Sequence, residues 1–279
     1  MKLMLIFLLT MFLSCKPNIH YIKIKGSDTE VNLVVRLAEE FHKTNPDFHV
    51  SISGGGSGLG IASLLNGQAD IANSSRTMNA YENTLFQKSG IEVDTFVFAE
   101  DVISFIVSKY LSLDSISIQD LGKILSGEYN NWVTLTGKNL PINIYGRQSN
   151  SGTHDFVKQK LAIDFSPYAK EMNGNAQIIE AVKADRSGIG YVGAGYVMEA
   201  GKSNQKIKVL KIVTSKNALA QLPSAPEAVI KNSYYFKRPL YQFIKKEARE
   251  KAAAFLAFEK SDTGRAIIRS AGYFPVSSH

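Results

Sequence analysis

The sequence contains little of what builds disulfides and metal centres. Its 279 residues include one cysteine, five histidines and one tryptophan. A single cysteine excludes a disulfide within the chain, and no H-E-x-x-H, C-x-x-C or acidic metal cluster is present. After residue 14 no apolar run approaches the roughly 20 residues that cross a bilayer. With 44% hydrophobic and 20% charged residues, the composition predicts a folded protein of about two domains and excludes disorder, collagen and a polytopic membrane protein.

The net charge of +7 is concentrated in the second half of the chain. Residues 16–150 hold 11 basic and 14 acidic residues, whereas residues 151–279 hold 20 basic and 11 acidic residues. Much of the excess lies in residues 231–251, where seven Lys and Arg accompany two Glu. No pattern of aromatic residues and glycines typical of RNA-binding sheets accompanies them, so nucleic acid is not a predicted partner. A solvated face, a transporter contact and an anionic membrane surface are the alternatives for this stretch.

The amino terminus resembles a lipoprotein signal. Residues 1–14 contain one Lys, the apolar run 3–13 and Ser14 immediately before Cys15. A charged start, an apolar middle and a small residue before the cut are typical of a secretory signal. The position of Cys15 resembles a bacterial lipobox, in which the cysteine is acylated, although Phe12 occupies a position that is usually aliphatic. The alternative is a short buried apolar segment with an incidental thiol. We expect a mature protein held by lipid at the periplasmic side of a membrane or at the outer surface.

From residue 21 onward, short β-rich runs alternate with amphipathic helical stretches. This alternation predicts an α/β protein with mostly parallel sheets. Strands are expected at residues 22–25, 49–53, 70–72, 101–108, 142–145 and 189–192. Helices are expected at residues 30–43, 58–66, 118–125, 153–161, 178–184, 245–260 and 264–270.

Three segments place Gly, Ser and Thr between a predicted strand and a predicted helix: residues 26–29 (GSDT), 54–60 (GGGSGLG) and 147–153 (RQSNSGT). The first turn of a helix has unpaired N–H groups and the positive end of the helix dipole, which together suit an anion. Hydroxyl groups add donors, and Arg147 adds a planar charged fork. Three such loops could together approach the roughly 8 kcal/mol of micromolar binding, whereas one could not.

Each segment also has a purely structural interpretation. Ser27 and Glu30 match a capping box, Ser151 matches an N-cap, and residues 54–60 could form only a tight turn. The dinucleotide, P-loop and nucleophile-elbow fingerprints all fail within residues 54–62. A serine hydrolase using Ser151 and His154 is a weak alternative, because a solvent-facing histidine in the first helical turn explains His154 as well.

Together with further segments, these loops resemble the substrate-binding lipoproteins of the bacterial phosphate-specific ABC transporter over residues 22–275. The further segments are residues 69–76 (ADIANSSR), 124–127 (ILSG), 131–132 (NW) and 188–191 (GIGY). The resemblance implies a two-lobed periplasmic-binding-protein fold of type II, the Venus-flytrap form, with two mostly parallel sheets, flanking helices and two crossing strands. It implies a signal at residues 1–14, lobe I from residues 22–100 plus 237–279, and lobe II from residues 101–236.

The resemblance also implies the site and the function. The lobes close on one inorganic phosphate, which is delivered to permease subunits, with no catalytic residue, metal or cofactor, and the protein acts as a monomer. Another tetrahedral oxyanion, sulfate or molybdate, is the alternative ligand. The residues carried over by position as ligand contacts are Ser27, Asp28, Thr29, Ser57, Ser75, Arg147, Ser151, Gly152 and Thr153.

Two departures from the family pattern affect the expected site. Ser75 stands where well-known members have an aspartate that accepts the proton of phosphate, so Asp28, Asp70 or a backbone carbonyl must supply the acceptor. Arg76, next to it, either adds charge to the site or pairs with Asp70. Ser149 stands where some members have an Asp that pairs with the arginine, so Arg147 is expected to be less restrained.

Overall fold

The computed structural model describes residues 20–200, 206–215, 218–223 and 234–276. The expected signal at residues 1–14 and the expected lipidation at Cys15 lie outside these residues and stay predictions, as does the position of Lys231 in the basic stretch. Among the helices of the described ranges, none combines the length and the apolar character that crossing a bilayer requires.

The described residues form an α/β fold, as predicted, with helices flanking a mixed sheet. The helices are α1 (Val31–Thr44), α2 (Ser57–Leu65), α3 (Ala80–Lys88), α4 (Ile118–Ser126), α5 (Val133–Thr136), α6 (Gly152–Leu161), α7 (Asn175–Ala184), α8 (Ala194–Ala200), α9 (Arg249–Lys260) and α10 (Asp262–Ser270). The strands are β1 (His20–Gly26), β2 (Phe48–Ser53), β3 (Ile71–Ser74), β4 (Val93–Ser108), β5 (Ser115–Ser117), β6 (Asn143–Arg147), β7 (Lys170–Met172), β8 (Gly188–Gly193), β9 (Ile207–Val209), β10 (Lys211–Val213), β11 (Lys237–Lys245) and β12 (Phe274–Pro275). Single 3₁₀ turns occupy Asp28–Glu30 and Lys246–Ala248.

The strand order in the main sheet is β2-β1-β3-β11-β4-β8-β6-β7. Strand β1 runs parallel to β2 and β3, and β6 runs parallel to β7 and β8. Strand β11 is antiparallel to both β3 and β4, and β4 is antiparallel to β8 and β9. The prediction of mostly parallel sheets is therefore corrected to mixed sheets. The region around β1, β2 and β3 is called the first region below, and the region around β6, β7 and β8 the second region. The chain leaves the first region along β4 and returns to it along β11, so these two strands run in opposite directions.

Strand β4 connects two regions with separate apolar cores. Its first part, through Val102, pairs with β11, and its second part, from Ile103, pairs with β8 and β9. The returning chain crosses beside it, where the N–H of Ile103 donates to the carbonyl of Phe236 (3.0 Å). Phe236 belongs to the second core and Leu240 to the first. The exact lobe boundaries given above stay predictions.

The first core explains why α1 is amphipathic. Leu33, Val34, Leu37 and Phe41 are buried against β1, α9 and α10. The expected helix at residues 30–43 agrees closely with the observed bounds of α1. In the second core, Trp132 is fully buried and its Nε1–H donates to the carbonyl of Ser187 (2.9 Å).

The carboxyl-terminal helix begins later than expected. Helix was predicted from residue 245, but β11 extends to Lys245 and α9 begins only at Arg249. Alternate residues of β11 are buried over its first half, and its backbone pairs on both sides with other strands. Strand pairing reaches Lys245 and a 3₁₀ turn follows at Lys246–Ala248, so the regular helix starts only after them.

The described part of the basic stretch pairs largely with acids of the first half. These salt bridges join β11, the 3₁₀ turn after it or α9 to the segments around β3 and β4. They therefore balance the charge asymmetry of the two halves locally. The side chains of Lys246, Arg249 and Lys251 are also exposed, so this part of the stretch is a solvated face whose charges are paired, and the transporter and membrane alternatives stay predictions. The pairs are Lys237–Glu100 (2.6 Å), Arg238–Asp101 (2.8 Å), Lys246–Glu92 (2.7 Å), Arg249–Asp94 (3.0 Å) and Lys251–Asp70 (2.9 Å).

Glu259 and Glu30 are buried carboxyl groups of the first region. Glu259 of α9 accepts a hydrogen bond from Nε2 of Gln242 (3.0 Å), and burial raises the pKa of Glu259 to about 8. Burial also raises the pKa of Glu30 well above its usual value, against the charge of Arg238. Burial therefore disfavours the ionised form of both carboxyl groups.

The substitution Glu259→Gln should change how stability depends on pH. The folded protein holds the Glu259 proton up to a pH of about 8, whereas an unfolded glutamate releases it near about 4.3. Wild-type stability through this group therefore falls as the pH rises between these values. Urea unfolding should show the free energy of unfolding of the variant, relative to wild type, rising between about pH 5 and about pH 8 by on the order of a few kcal/mol. The exposed Glu250→Gln is the matched control, and equal pH profiles for all three proteins would contradict the argument.

Candidate functional site

The predicted site segments converge where the two regions face each other. Residues 27–29 follow β1, Ser57 begins α2, and Ser75 follows β3, while Arg147 ends β6 and residues 151–153 begin α6. Strand ends and helix starts thus meet from both sides, the usual place for ligands in α/β proteins. All of the predicted contact residues are buried except the partly exposed Asp28 and Arg76.

Two serines of the first region contact the start of α6. The N–H of Ser75 donates to Oγ of Ser57 (3.1 Å), and the two hydroxyl oxygens are 3.5 Å apart. A Cβ atom on Gly152 would lie 2.4 Å from Oγ of Ser57 and 2.6 Å from Oγ of Ser75. Glycine at position 152 is therefore what allows the N-terminus of α6 to approach both hydroxyls.

The glycine-rich loop makes backbone contacts with the opposite segment. The N–H of Gly58 donates to the carbonyl of Asn150 (3.0 Å), and Nδ2 of Asn150 donates to the carbonyl of Gly55 (3.2 Å). A Cβ atom on Gly60 would lie 2.6 Å from Cα of Gly26. Residues 54–60 therefore do more than turn the chain: they bring α2 close to β1 and contact the other region.

Arg147 is buried and paired. Its Nη1 lies 3.2 Å from Oδ2 of Asp28, and its Nη2 donates to the carbonyl of Asn173 (3.0 Å). Burial lowers the pKa of Arg147, and the charge of Asp28 opposes this. The expectation of a less restrained Arg147 is wrong, because Asp28 reaches across from the first region and takes the pairing position that Ser149 cannot fill.

Asp28 is the acceptor at the centre of this contact. Besides Arg147, its Oδ2 accepts from the N–H and from Nδ2 of Asn175 (2.8 and 2.7 Å). Its carbonyl accepts from the hydroxyl of Tyr196 (2.7 Å). Within the described residues, its Oδ1 takes part in no hydrogen bond, so one carboxylate oxygen keeps its acceptor capacity. Asn175 was not predicted as a site residue, although its place at the first turn of α7 gives it the same local geometry as Ser57.

Arg76 is committed to a different partner. It forms a bidentate ion pair with Glu82, in which Nη1 and Nη2 each donate to one carboxylate oxygen at 2.7 Å. Its Nε lies 3.9 Å from Oδ2 of Asp155. The alternative in which Arg76 pairs with Asp70 is wrong, since Asp70 accepts from the N–H of Lys23 and from Lys251. The sequence pattern overlooked Glu82, which also closes the capping box of α3 with Asn79.

Two local predictions at the helix starts had different outcomes. Ser151 caps α6 by accepting from the N–H of Thr153, as its position indicated. Ser27 does not form the capping box with Glu30, because Ser27 makes no side-chain cap and its own N–H donates to the carbonyl of Asn73 (2.9 Å).

His154 does not have the surroundings of a catalytic base. Its ring lies 4.6 Å from the ring of Phe165, half-buried rather than facing solvent as expected, and burial lowers its pKa. The cap hydrogen bond to Thr153 occupies Oγ of Ser151. The arrangement gives no support to the hydrolase alternative.

One buried arginine at the site was not predicted at all. Arg238 of β11 is 2% exposed and donates through Nη2 to Oγ1 of Thr29 (3.2 Å) and to Oγ1 of Thr153 (3.1 Å). These two hydroxyl oxygens are 3.1 Å apart. In the sequence, Arg238 is one residue of the basic stretch 231–251. It differs from the surface lysines around it because β11 is a central strand of the sheet, between β3 and β4.

Two α/β regions that meet at buried hydroxyls and buried arginines have the architecture of a two-lobed ligand-binding protein. A family profile described as the PBP superfamily domain matches residues 15–263, and the chain belongs to this superfamily.

Curated relatives agree with this assignment. The chain is 29% identical to Protein SphX of Synechococcus elongatus over 90% of this chain and 76% of that protein. It is 28% identical to the phosphate-binding protein PstS of Borreliella burgdorferi over 99% of each chain. Among solved structures, it resembles a Clostridium perfringens protein described as a phosphate ABC transporter substrate-binding protein with bound phosphate, with a TM-score of 0.81 and 24% identity over 92% of this chain and 100% of that one.

Proposed function

We propose that the protein binds inorganic phosphate in the cleft and delivers it to the permease of an ABC transporter for import. The observation that carries the proposal is that Ser57 at the N-terminus of α2 and Ser75 of the first region meet Gly152 at the N-terminus of α6, beside the buried contact of Asp28 with Arg147. Relatives named phosphate-binding proteins support the choice of anion.

The proposed contacts are those expected from the sequence, except that Arg76 is not counted as a main contact. Ser27, Asp28, Thr29, Ser57, Ser75, Ser151, Gly152 and Thr153 supply hydroxyls and backbone N–H groups, and Arg147 supplies the guanidinium. Arg76 has only a minor role, because Glu82 already balances its charge. Several hydrogen bonds to a charged group, at about 1.5–3 kcal/mol each, are sufficient for the roughly 8 kcal/mol of micromolar binding.

Asp28 is the acceptor that we propose for the proton of phosphate. Ser75 is a buried hydroxyl and carries no charge, and Asp70 is bound to Lys23 and Lys251 elsewhere. Asp28 alone of the two aspartates lies at the cleft, with Oδ1 in no hydrogen bond among the described residues. A carboxylate there accepts the proton of phosphate and repels sulfate, which has none at neutral pH. This position favours phosphate over the sulfate or molybdate alternative.

The cellular arrangement is proposed from the sequence. Cleavage before Cys15 and its acylation would tether a monomer to the periplasmic side of a membrane, beside the permease.

Calorimetry should show one phosphate bound per delipidated chain at neutral pH. The substitution Arg147→Ala should weaken binding by about 2–3 kcal/mol, since it removes a charge-assisted contact from a buried site. The matched control is Arg186→Ala, whose guanidinium lies over the ring of Tyr110 at the surface. No heat and no displaceable phosphate with the wild-type protein would refute the proposal, and equal losses for both variants would show that the site is misplaced.

The substitution Asp28→Asn should reduce selectivity against sulfate. Affinity alone is ambiguous here, because the change also leaves Arg147 without its partner, so the ratio of the sulfate Kd to the phosphate Kd is the informative quantity. We expect this ratio to fall about tenfold or more, because repulsion and proton acceptance are both lost. Competition calorimetry measures it, with the exposed Asp164→Asn as control. An unchanged ratio would assign the proton acceptor to another group.

The substitution Gly152→Ala should weaken phosphate binding by about tenfold or more. The reason is that the new methyl group would overlap the hydroxyls of Ser57 and Ser75. Gly122→Ala is the control, since its Cβ would meet only Ile163 at 3.7 Å. Calorimetry on both variants, with circular dichroism to check folding, provides the comparison. Wild-type affinity in Gly152→Ala would mean that phosphate binds without this close approach.

A further inference from the structure

The buried Arg238 contacts both sides of the cleft. Its Nε and Nη2 donate to Oδ2 of Asp101 (3.1 and 2.8 Å), and the side chains of both residues are almost fully buried. The same Nη2 donates to Thr29 of the first region and to Thr153 of the second. The pair with Asp101 balances the charge, so the contacts with the hydroxyls are not needed to neutralise the guanidinium.

The chemistry of the guanidinium fixes the direction of these contacts. A guanidinium donates and cannot accept, so Oγ1 of Thr29 and Oγ1 of Thr153 must both accept from Arg238. Their own protons must then point elsewhere. Because the two oxygens are 3.1 Å apart, one hydroxyl can donate to the other, and one proton of the pair remains to be directed to another acceptor.

We propose that Arg238 is a positioning residue for anion binding, which orients the hydroxyls of Thr29 and Thr153 so that the pair presents a donor to the ligand. The inference rests on the proposed function and extends it to a residue outside the three loops. Because the hydroxyls belong to opposite sides of the cleft, Arg238 completes this arrangement only when the two regions are together. It therefore couples closure to the formation of the donor.

The geometry also predicts that a lysine cannot take over all the contacts of Arg238. The guanidinium holds Asp101 through Nε and Nη2 while Nη2 reaches both threonines, so one N–H is shared between two acceptors. A lysine ammonium keeps the charge beside Asp101 but lacks the planar fork that spans these three partners. Arg238→Lys thus separates charge balance from hydroxyl orientation.

A double-mutant cycle on phosphate affinity tests the proposal. Arg238→Lys and Thr153→Val should each weaken phosphate binding about tenfold to 100-fold. The double variant should lose little more than the worse single variant, because both changes remove the same oriented hydroxyl. Arg249→Lys, at the partly exposed pair with Asp94, is the control and should bind like wild type.

The outcomes distinguish this inference from the proposed function. If wild type binds phosphate and the two losses add in full, or Arg238→Lys binds like wild type, Arg238 has a structural role and the inference is overturned. If wild type does not bind phosphate, both proposals are overturned. Should Arg238→Lys not fold, the cycle of Thr29→Val and Thr153→Val replaces it: strong coupling between the two hydroxyls supports the inference, and additive losses overturn it.

Discussion

The contact between Arg147 and Asp28 is the interaction on which the site depends. A guanidinium that is 2% exposed needs a counter-charge, because an unpaired buried charge costs several kcal/mol. The sequence near Arg147 supplies none, since Ser149 carries no charge, and the partner comes from the opposite side of the cleft. The need to compensate one buried cation therefore brings the two regions together and sets the direction in which the loops face each other.

A second consequence is that the cleft carries little net charge. Arg147 is balanced by Asp28, Arg238 by Asp101 and Arg76 by Glu82, and burial disfavours the ionised form of Glu30 by raising its pKa. A bound anion would then be held mainly by oriented hydroxyls, backbone N–H groups and helix termini, which need no excess of positive charge. The net charge of +7 has little to do with the ligand, because the described part of the basic stretch is largely paired with acids.

Local patterns predicted the loops but not the partners that complete them. Strand-to-helix junctions rich in Gly, Ser and Thr are visible in the sequence, and residues 27–29, 57 and 147–153 do converge. The pairings of Asp28 with Arg147, of Arg76 with Glu82 and of Arg238 with Thr29 are not visible, because the last joins residues 209 positions apart and depends on strand order. The same limitation explains why β11 was absent from the expected strands, because its pairing with β3 and β4 joins segments that are far apart in the sequence.

The position of β11 between β3 and β4 has a consequence for the order of folding. The first sheet lacks a central strand until residues 237–245 are available, since β11 pairs with both neighbours. The first region is thus built from the two ends of the described chain. Its sheet is completed by strand pairs that are far apart in the sequence, and such pairs form slowly. The second region, contiguous between the two crossings, has no such dependence and can fold before the first sheet is complete.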